Sequence, residues 1–298
     1  MRRAIAGLVM LLASVVPASA KDGCHPTPAG SLDMTVGSDI TVPIVLGGQT
    51  YTVAVSTGGP SLLSQAVLDS LGIHVQRLTR LGFAIYGGKR IENFAVLRDI
   101  DLGGHKVGAT AFLVAPEGTL PEGIQGTIAP DVLRAYEIEF DFAHARLNLF
   151  EPDYCDGNPV YWTQDAPAEL SFPLDPFGYV RFPVSIDGKE VKLEMATGMT
   201  ETVIDLETAE KLFGFDANDP RLAKLGAAAY GNAYRFPFRT LSLGQVSIAD
   251  PQIVLAERKD AWLGPDFHGM IGLSLLRRLH LYVSYHRHKV FITAADAH

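Results

Sequence analysis

From Tyr51 the run YTVAV alternates apolar and polar side chains with the period of a half-buried strand, the small-residue turn STGGP follows, and SLLSQAVLDSLGI has the spacing of a short amphipathic helix. The same pattern returns in the second half of the chain. VLGGQTYTVAVSTGGPSLLSQAVLDSLGI, beginning at Val45, can be laid over SIDGKEVKLEMATGMTETVIDLETAEKLFGF, beginning at Ser185. In both copies a glycine-containing turn, at Gly48 and at Gly188, joins two alternating strands, the second strand ends in Thr-Gly, and a helix follows. The equivalent dipeptides are Thr57-Gly58 and Thr197-Gly198, preceded by Ser56 and Ala196.

The correspondence continues downstream. YGGKR from Tyr86 and YGNAY from Tyr230 read as glycine-rich hairpin tips, and DLGGHKV from Asp101 answers SLGQVSI from Ser242. GTIAPDVLRAYEIEFDFAHARLNLF from Gly126 matches GMIGLSLLRRLHLYVSYHRHKVFI from Gly269: an apolar strand, a helical turn and two closing strands. The pattern predicts an all-β chain with short helices, built as two pseudo-symmetric lobes of about 110 residues each. The expected divisions are a signal peptide at 1–20, an N-terminal segment at 21–40, a first lobe at 41–150, a connector at 151–176 and a second lobe at 177–298. The connector is rich in Pro, Asp and Gly yet carries PVYWT, and Tyr161 and Trp162 are costly to leave wet, so it is expected to pack onto the lobes.

These residues carry a family resemblance. Both halves resemble retropepsin-type aspartic proteases, arranged as in two-lobed pepsin-like chains, whose lobes are β-barrels. The resemblance implies that each lobe contributes an Asp-Thr-Gly triplet at a strand end, with an apolar-apolar-Gly stretch threading beside it. Here Ser56 and Ala196 stand where that family places its two aspartates. The apolar-apolar-Gly stretch is kept as Met270-Ile271-Gly272, but its first-half counterpart is Thr127-Ile128-Ala129. Gly59-Pro60 and Met199 also depart from the small residues usual after the triplet. Thr57 and Thr197, whose family counterparts bond across the pseudo-dyad, are both present. The resemblance further implies that Tyr86, Gly87 and Gly88, with Tyr230 and Gly231, line a groove in which hairpin tips close over an extended peptide.

The chemistry of the dyad decides what such a chain can do. Two carboxylates sharing one proton let one act as base toward water while the other donates to the scissile carbonyl. A hydroxyl and a methyl do neither, and each proton transfer forgone is worth about 10²- to 10⁴-fold in rate. The expectation is therefore a catalytically silent protease homologue that binds an extended peptide or a protein partner between its lobes. The alternatives are an active peptidase with non-standard catalytic residues and a purely structural envelope protein.

Composition adds location and exclusions. Arg2 and Arg3 precede the apolar run AIAGLVMLLASVV, and Ala18-Ser19-Ala20 closes it, the pattern of a cleaved secretory signal; no later run is long enough to span a bilayer. Export to a bacterial periplasm, or to the medium, is the expected location. Without Arg2 and Arg3 the chain carries 23 Lys and Arg against 33 Asp and Glu, a formal charge of −10 in place of −8, a poor match to nucleic acid. In an oxidising compartment Cys24 and Cys155 are expected to form one disulfide, closing a loop long enough to contribute roughly 4 to 5 kcal/mol in the chain-entropy model. A lipid-modified Cys24 is the rival reading, weakened by Lys21 in KDGC.

Other chemistries are weaker in the sequence. Ser56 lies between Val55 and Thr57 rather than in a G-x-S-x-G elbow, and no Gly-Lys-Ser/Thr makes the glycine turn a phosphate cradle. His286 and His288 are read as alternating along one strand face without a third ligand, so no metal and no cofactor are expected. Glu194, two residues before Ala196 on the same strand face, and Glu201 are each read as a solvated strand edge or helix start. A monomer of two fused lobes is expected.

Overall fold

The computed structural model describes residues 26–79, 85–86, 89–152, 159–228, 231–257 and 267–296. The expected signal peptide and both cysteines lie outside the described residues. Within them the fold is β-sheet with short helices, the longest being Leu206–Phe213.

Each half is organised around one tight hairpin. In the first, Ile40–Leu46 pairs with Gln49–Val55, and in the second Arg181–Ile186 pairs with Lys189–Met195. Gly47 and Gly48 have φ of 55° and 79°, Asp187 and Gly188 φ of 45° and 80°; two left-handed residues in succession give the hairpin turn whose twist matches that of its strands. Along the first strand Ile40, Val42, Ile44 and Leu46 are buried while Pro43 is exposed, so the period-two pattern becomes one face in the core.

The second strand of each hairpin then pairs in parallel with a short strand from much later in the chain. Gly126–Ile128 lies beside Gln49–Val55, and Gly269–Ile271 beside Lys189–Met195. The crossing is tight: a Cβ on Gly126 would stand 2.4 Å from the Leu62 carbonyl oxygen, and one on Gly269 only 2.1 Å from that of Val203. Helices follow at equivalent places. Gln65–Ser70 starts at Ser64, whose hydroxyl accepts from the Val67 amide. Leu206–Phe213 starts at Asp205, which accepts from the Thr208 amide, and ends at Gly214 with φ 69°.

A six-stranded sheet joins the lobes. Its order is Pro28–Asp33, Arg146–Phe150, Glu137–Asp141, Leu279–Ser284, Lys289–Ala294 and Ala168–Ser171, so hairpins from the two halves meet at its centre, with Phe140 opposite Leu281. The connector lies against this sheet. Trp162 stacks on His280 at 3.8 Å between centroids and donates its indole N–H to Thr293 Oγ1 at 3.0 Å. Tyr161, although 46% exposed, donates its hydroxyl to Glu139 Oε2 at 2.8 Å.

Glu139 is buried, and a buried carboxylate survives only when its oxygens are saturated. Oε1 meets His280 Nε2 at 2.8 Å, and Oε2 also accepts from Asn148 Nδ2 at 2.6 Å. His280→Leu would strip Oε1 and remove the platform under Trp162. The expected cost is about 3 kcal/mol, read as a lower urea midpoint by circular dichroism, because breaking a buried pair leaves its survivor uncompensated.

Candidate functional site

The two Thr-Gly turns meet between the lobes. Ser56 follows the strand Gln49–Val55, and its amide donates to the Ile128 carbonyl at 2.9 Å; Ala196 follows Lys189–Met195, and its amide donates to Ile271 at 3.0 Å. Both turns are thus anchored to the threading strand of their own lobe. The threonines then cross. The Thr57 amide donates to Thr197 Oγ1 at 3.0 Å and the Thr197 amide to Thr57 Oγ1 at 3.1 Å. Each hydroxyl donates onward into the opposite strand, Thr57 Oγ1 to the Met195 carbonyl at 2.6 Å and Thr197 Oγ1 to that of Val55 at 2.9 Å. Both threonines are buried.

The threading strands end differently in the two lobes for a steric reason. A Cβ on Gly272 would stand 2.2 Å from the Glu201 carbonyl oxygen, so glycine is required there, whereas the first lobe accommodates Ala129. The hydrogen bonding is nonetheless equivalent: the Ala129 amide donates to Ser61 Oγ at 2.9 Å, the Gly272 amide to Thr202 Oγ1 at 3.0 Å.

Above the crossed threonines is a cavity of about 370 Å³. Ser56, Gly58 and Gly59 line it from one lobe, and Glu194, Ala196, Gly198, Met199 and Met270 from the other, with Tyr179, Arg181 and Phe267 at its side. Ser56 is turned inward. Its hydroxyl donates to the Gly58 carbonyl at 2.6 Å and accepts from the Gly58 amide at 3.3 Å, so its proton is committed to its own loop and no base receives it. Ala196 contributes only a methyl group.

Glu194 is not the solvated strand edge expected of it. It is 6% exposed and lines the cavity, because register places it directly across from Arg181, whose side chain covers it. Arg181 Nε donates to Glu194 Oε2 at 2.8 Å and its NH1 to Asp175 Oδ2 at 3.2 Å. The guanidinium lies over the rings of Tyr179 and Phe267, 4.8 and 4.5 Å from their centroids. Burial raises the Glu194 carboxyl above the usual carboxylate range, against the opposing hydrogen bond and charge of Arg181. Burial also raises the Tyr179 phenol, reinforced by the charge of Glu194. Glu201 is exposed in the loop before Thr202.

Arg181, Tyr179 and Phe267 went unnoticed in the sequence, yet Arg181 was within reach. Counting outward from the two-residue turn at Asp187-Gly188, Ile186 faces Lys189 and Arg181 faces Glu194.

Other expected site residues fall elsewhere. Tyr86 ends a two-residue strand, Ile85–Tyr86, whose partner is Lys89–Arg90, and only its backbone is described. Gly87, Gly88 and Tyr230 lie outside the described residues, and Gly231 opens the strand Gly231–Arg235 opposite Ala228. His286 and His288 are not strand neighbours sharing a face. The strands end at Ser284 and resume at Lys289, and both histidines sit in the intervening turn, where His288 has φ 53°. Among the described residues no helix is long and apolar enough to cross a membrane.

The crossed threonines make a direct prediction. Thr197→Val keeps the shape but orphans the Thr57 amide and the Val55 carbonyl, and should cost about 2 to 4 kcal/mol in urea denaturation, while Thr197→Ser stays within about 1 kcal/mol of the parent.

Comparison with known proteins agrees with this geometry. The aspartyl protease family matches residues 42–128 and 182–275, one stretch in each half and together more than half of the chain. The crystal structure of an aspartic proteinase from Irpex lacteus superposes with a TM-score of 0.57 at 12% identity, covering 90% of this chain and 97% of that one. No curated protein matches by sequence. With a family match in each lobe and the fold of a two-lobed aspartic proteinase, the chain belongs to the aspartyl protease family.

Proposed function

We propose that this chain is an exported, catalytically silent member of its family that holds an extended peptide, or an extended segment of a partner protein, in the crevice between its lobes. The observation that carries this reading is the crossed threonine pair, complete in every hydrogen bond, beneath two positions occupied by a hydroxyl and a methyl. The family's hydrolytic chemistry needs two acidic oxygens sharing a proton at those positions. Ser56 and Ala196 cannot supply them, and the removal of two facing like charges relieves the fold of their repulsion. Selection for binding alone would tolerate this loss and keep the brace. An envelope location suits the apolar leader and the two cysteines of the expected disulfide.

A second reading has one observation in its favour. Glu194 is a buried acid with a raised pKa in the crevice, as a general acid would be. Its Oε2 is bonded to Arg181 rather than facing a second carboxylate, so it lacks the partner that a shared-proton mechanism demands.

Incubation of the purified chain with casein and a peptide pool between about pH 3 and 7 separates the two readings, because an acid–base pair gives a bell-shaped profile. No pepstatin-sensitive cleavage is expected; turnover abolished by Glu194→Gln would establish the second reading instead. A companion prediction concerns the scaffold. Ser56→Asp combined with Ala196→Asp should fold, with a urea midpoint lowered by repulsion and restored as the pH falls through the carboxylate range, since a shared proton then relieves the pair.

A further inference from the structure

The crevice is chemically lopsided. In the second lobe the cross-strand pair beside the turn is Arg181 and Glu194; the first lobe's counterpart pair, related as Thr57 is to Thr197, is Thr41 and Ala54. The charged pair lines the cavity, whereas its first-lobe counterpart is uncharged and does not.

The charges there do not cancel. Two carboxylates, Asp175 and Glu194, face one guanidinium. Arg181 is fixed at two nitrogens by those carboxylates and lies against two aromatic faces, so it is not free to swing toward a ligand. Glu194 has an oxygen left over. Oε2 takes the Arg181 bond, whereas no hydrogen bond among the described residues ends on Oε1. Oε1 lies 3.4 Å from where a Cβ on Gly58 would stand, and so faces the first lobe's turn across the cavity. Ser56 Oγ and the Gly58 carbonyl, already bonded to each other, add oxygen lone pairs to the same cavity. With Ala196 presenting only a methyl, the space around Glu194 is richer in acceptors than in donors, and the protonated Tyr179 phenol that lines it carries no positive charge.

An unpartnered carboxylate oxygen that opens onto the cavity from a side chain otherwise buried calls for a compact group with several N–H donors and a positive charge. We infer that the crevice seats a primary ammonium group against Glu194, supplied by a lysine side chain or by the free N-terminus of the bound segment. This rests on the reading that the crevice holds a peptide, and it specifies which peptides. Met199 and Met270 present flexible thioether walls suited to the aliphatic stem behind such a head group.

Isothermal titration calorimetry on the purified chain would use hexapeptides of one apolar sequence. One is acetylated and amidated, one is the same with a single Lys, one carries a single Glu, and one is apolar with a free N-terminus. The Lys peptide, the free-amine peptide or both should bind about tenfold tighter than the capped apolar peptide, and the Glu peptide more weakly than it. Whichever ammonium source gains affinity identifies how the group is presented. Glu194→Gln should bring the ratio to within about twofold. On the unaltered chain, raising NaCl from about 50 to about 500 mM should shrink the same ratio, a readout independent of whether the variant folds. Equal affinity for all four peptides, or a preference that survives Glu194→Gln, overturns the ammonium site while leaving peptide binding in place. Binding of none overturns both.

Discussion

Everything at the centre of this molecule depends on the crossed hydrogen bonds of Thr57 and Thr197. Each amide finds the other's hydroxyl, and each hydroxyl reaches the backbone of the opposite lobe. Both residues are sealed from water, so no solvent molecule could take over any of these bonds, and the lobes cannot part locally without orphaning all of them. That brace places Ser56 and Ala196 on one cavity. It also explains how the turn persists without acidic groups above it, since none of the threonine bonds involves the side chain at either position.

The brace works with a second tie between the halves. The six-stranded sheet takes one hairpin from each half, and the buried Glu139, bonded to His280 across the central pair, links the halves through side chains as well as backbone. Trp162 and Tyr161 close the connector over that pair. The two halves are therefore tied at two places, through the crossed threonines and through the shared sheet. Pseudo-symmetry ends at the crevice. The scaffold repeats, but the charged pair at Arg181 and Glu194 has no charged equivalent at Thr41 and Ala54.

Much of this was legible in the residues, because a repeated sequence and a repeated fold share one cause. Alternation in YTVAV and KLEMA, the glycines at the hairpin turns and the two Thr-Gly dipeptides all report backbone geometry, which is local. The histidines near the C-terminus show where local reading fails. His286 and His288 have strand spacing, yet the four residues from Tyr285 form the turn, a choice made by pairing of Ser284 with Lys289 rather than by propensity. Glu194 failed for a related reason: a glutamate on a strand usually faces solvent, and only its cross-strand neighbour, thirteen positions earlier, covers this one.

By itself, then, the sequence determined the repeat, the all-β class, the braced turns and the absence of paired acids at their tips, because each is written in residue type and spacing within one segment. Tertiary structure alone decided that Arg181, Asp175 and Glu194 form one cluster, that Tyr179 and Phe267 flank it, and that one acidic oxygen is left facing the cavity. Those facts depend on burial and on contacts between distant segments. The charge state and partners of a side chain follow from what surrounds it in space, and that surrounding exists only once the lobes have closed.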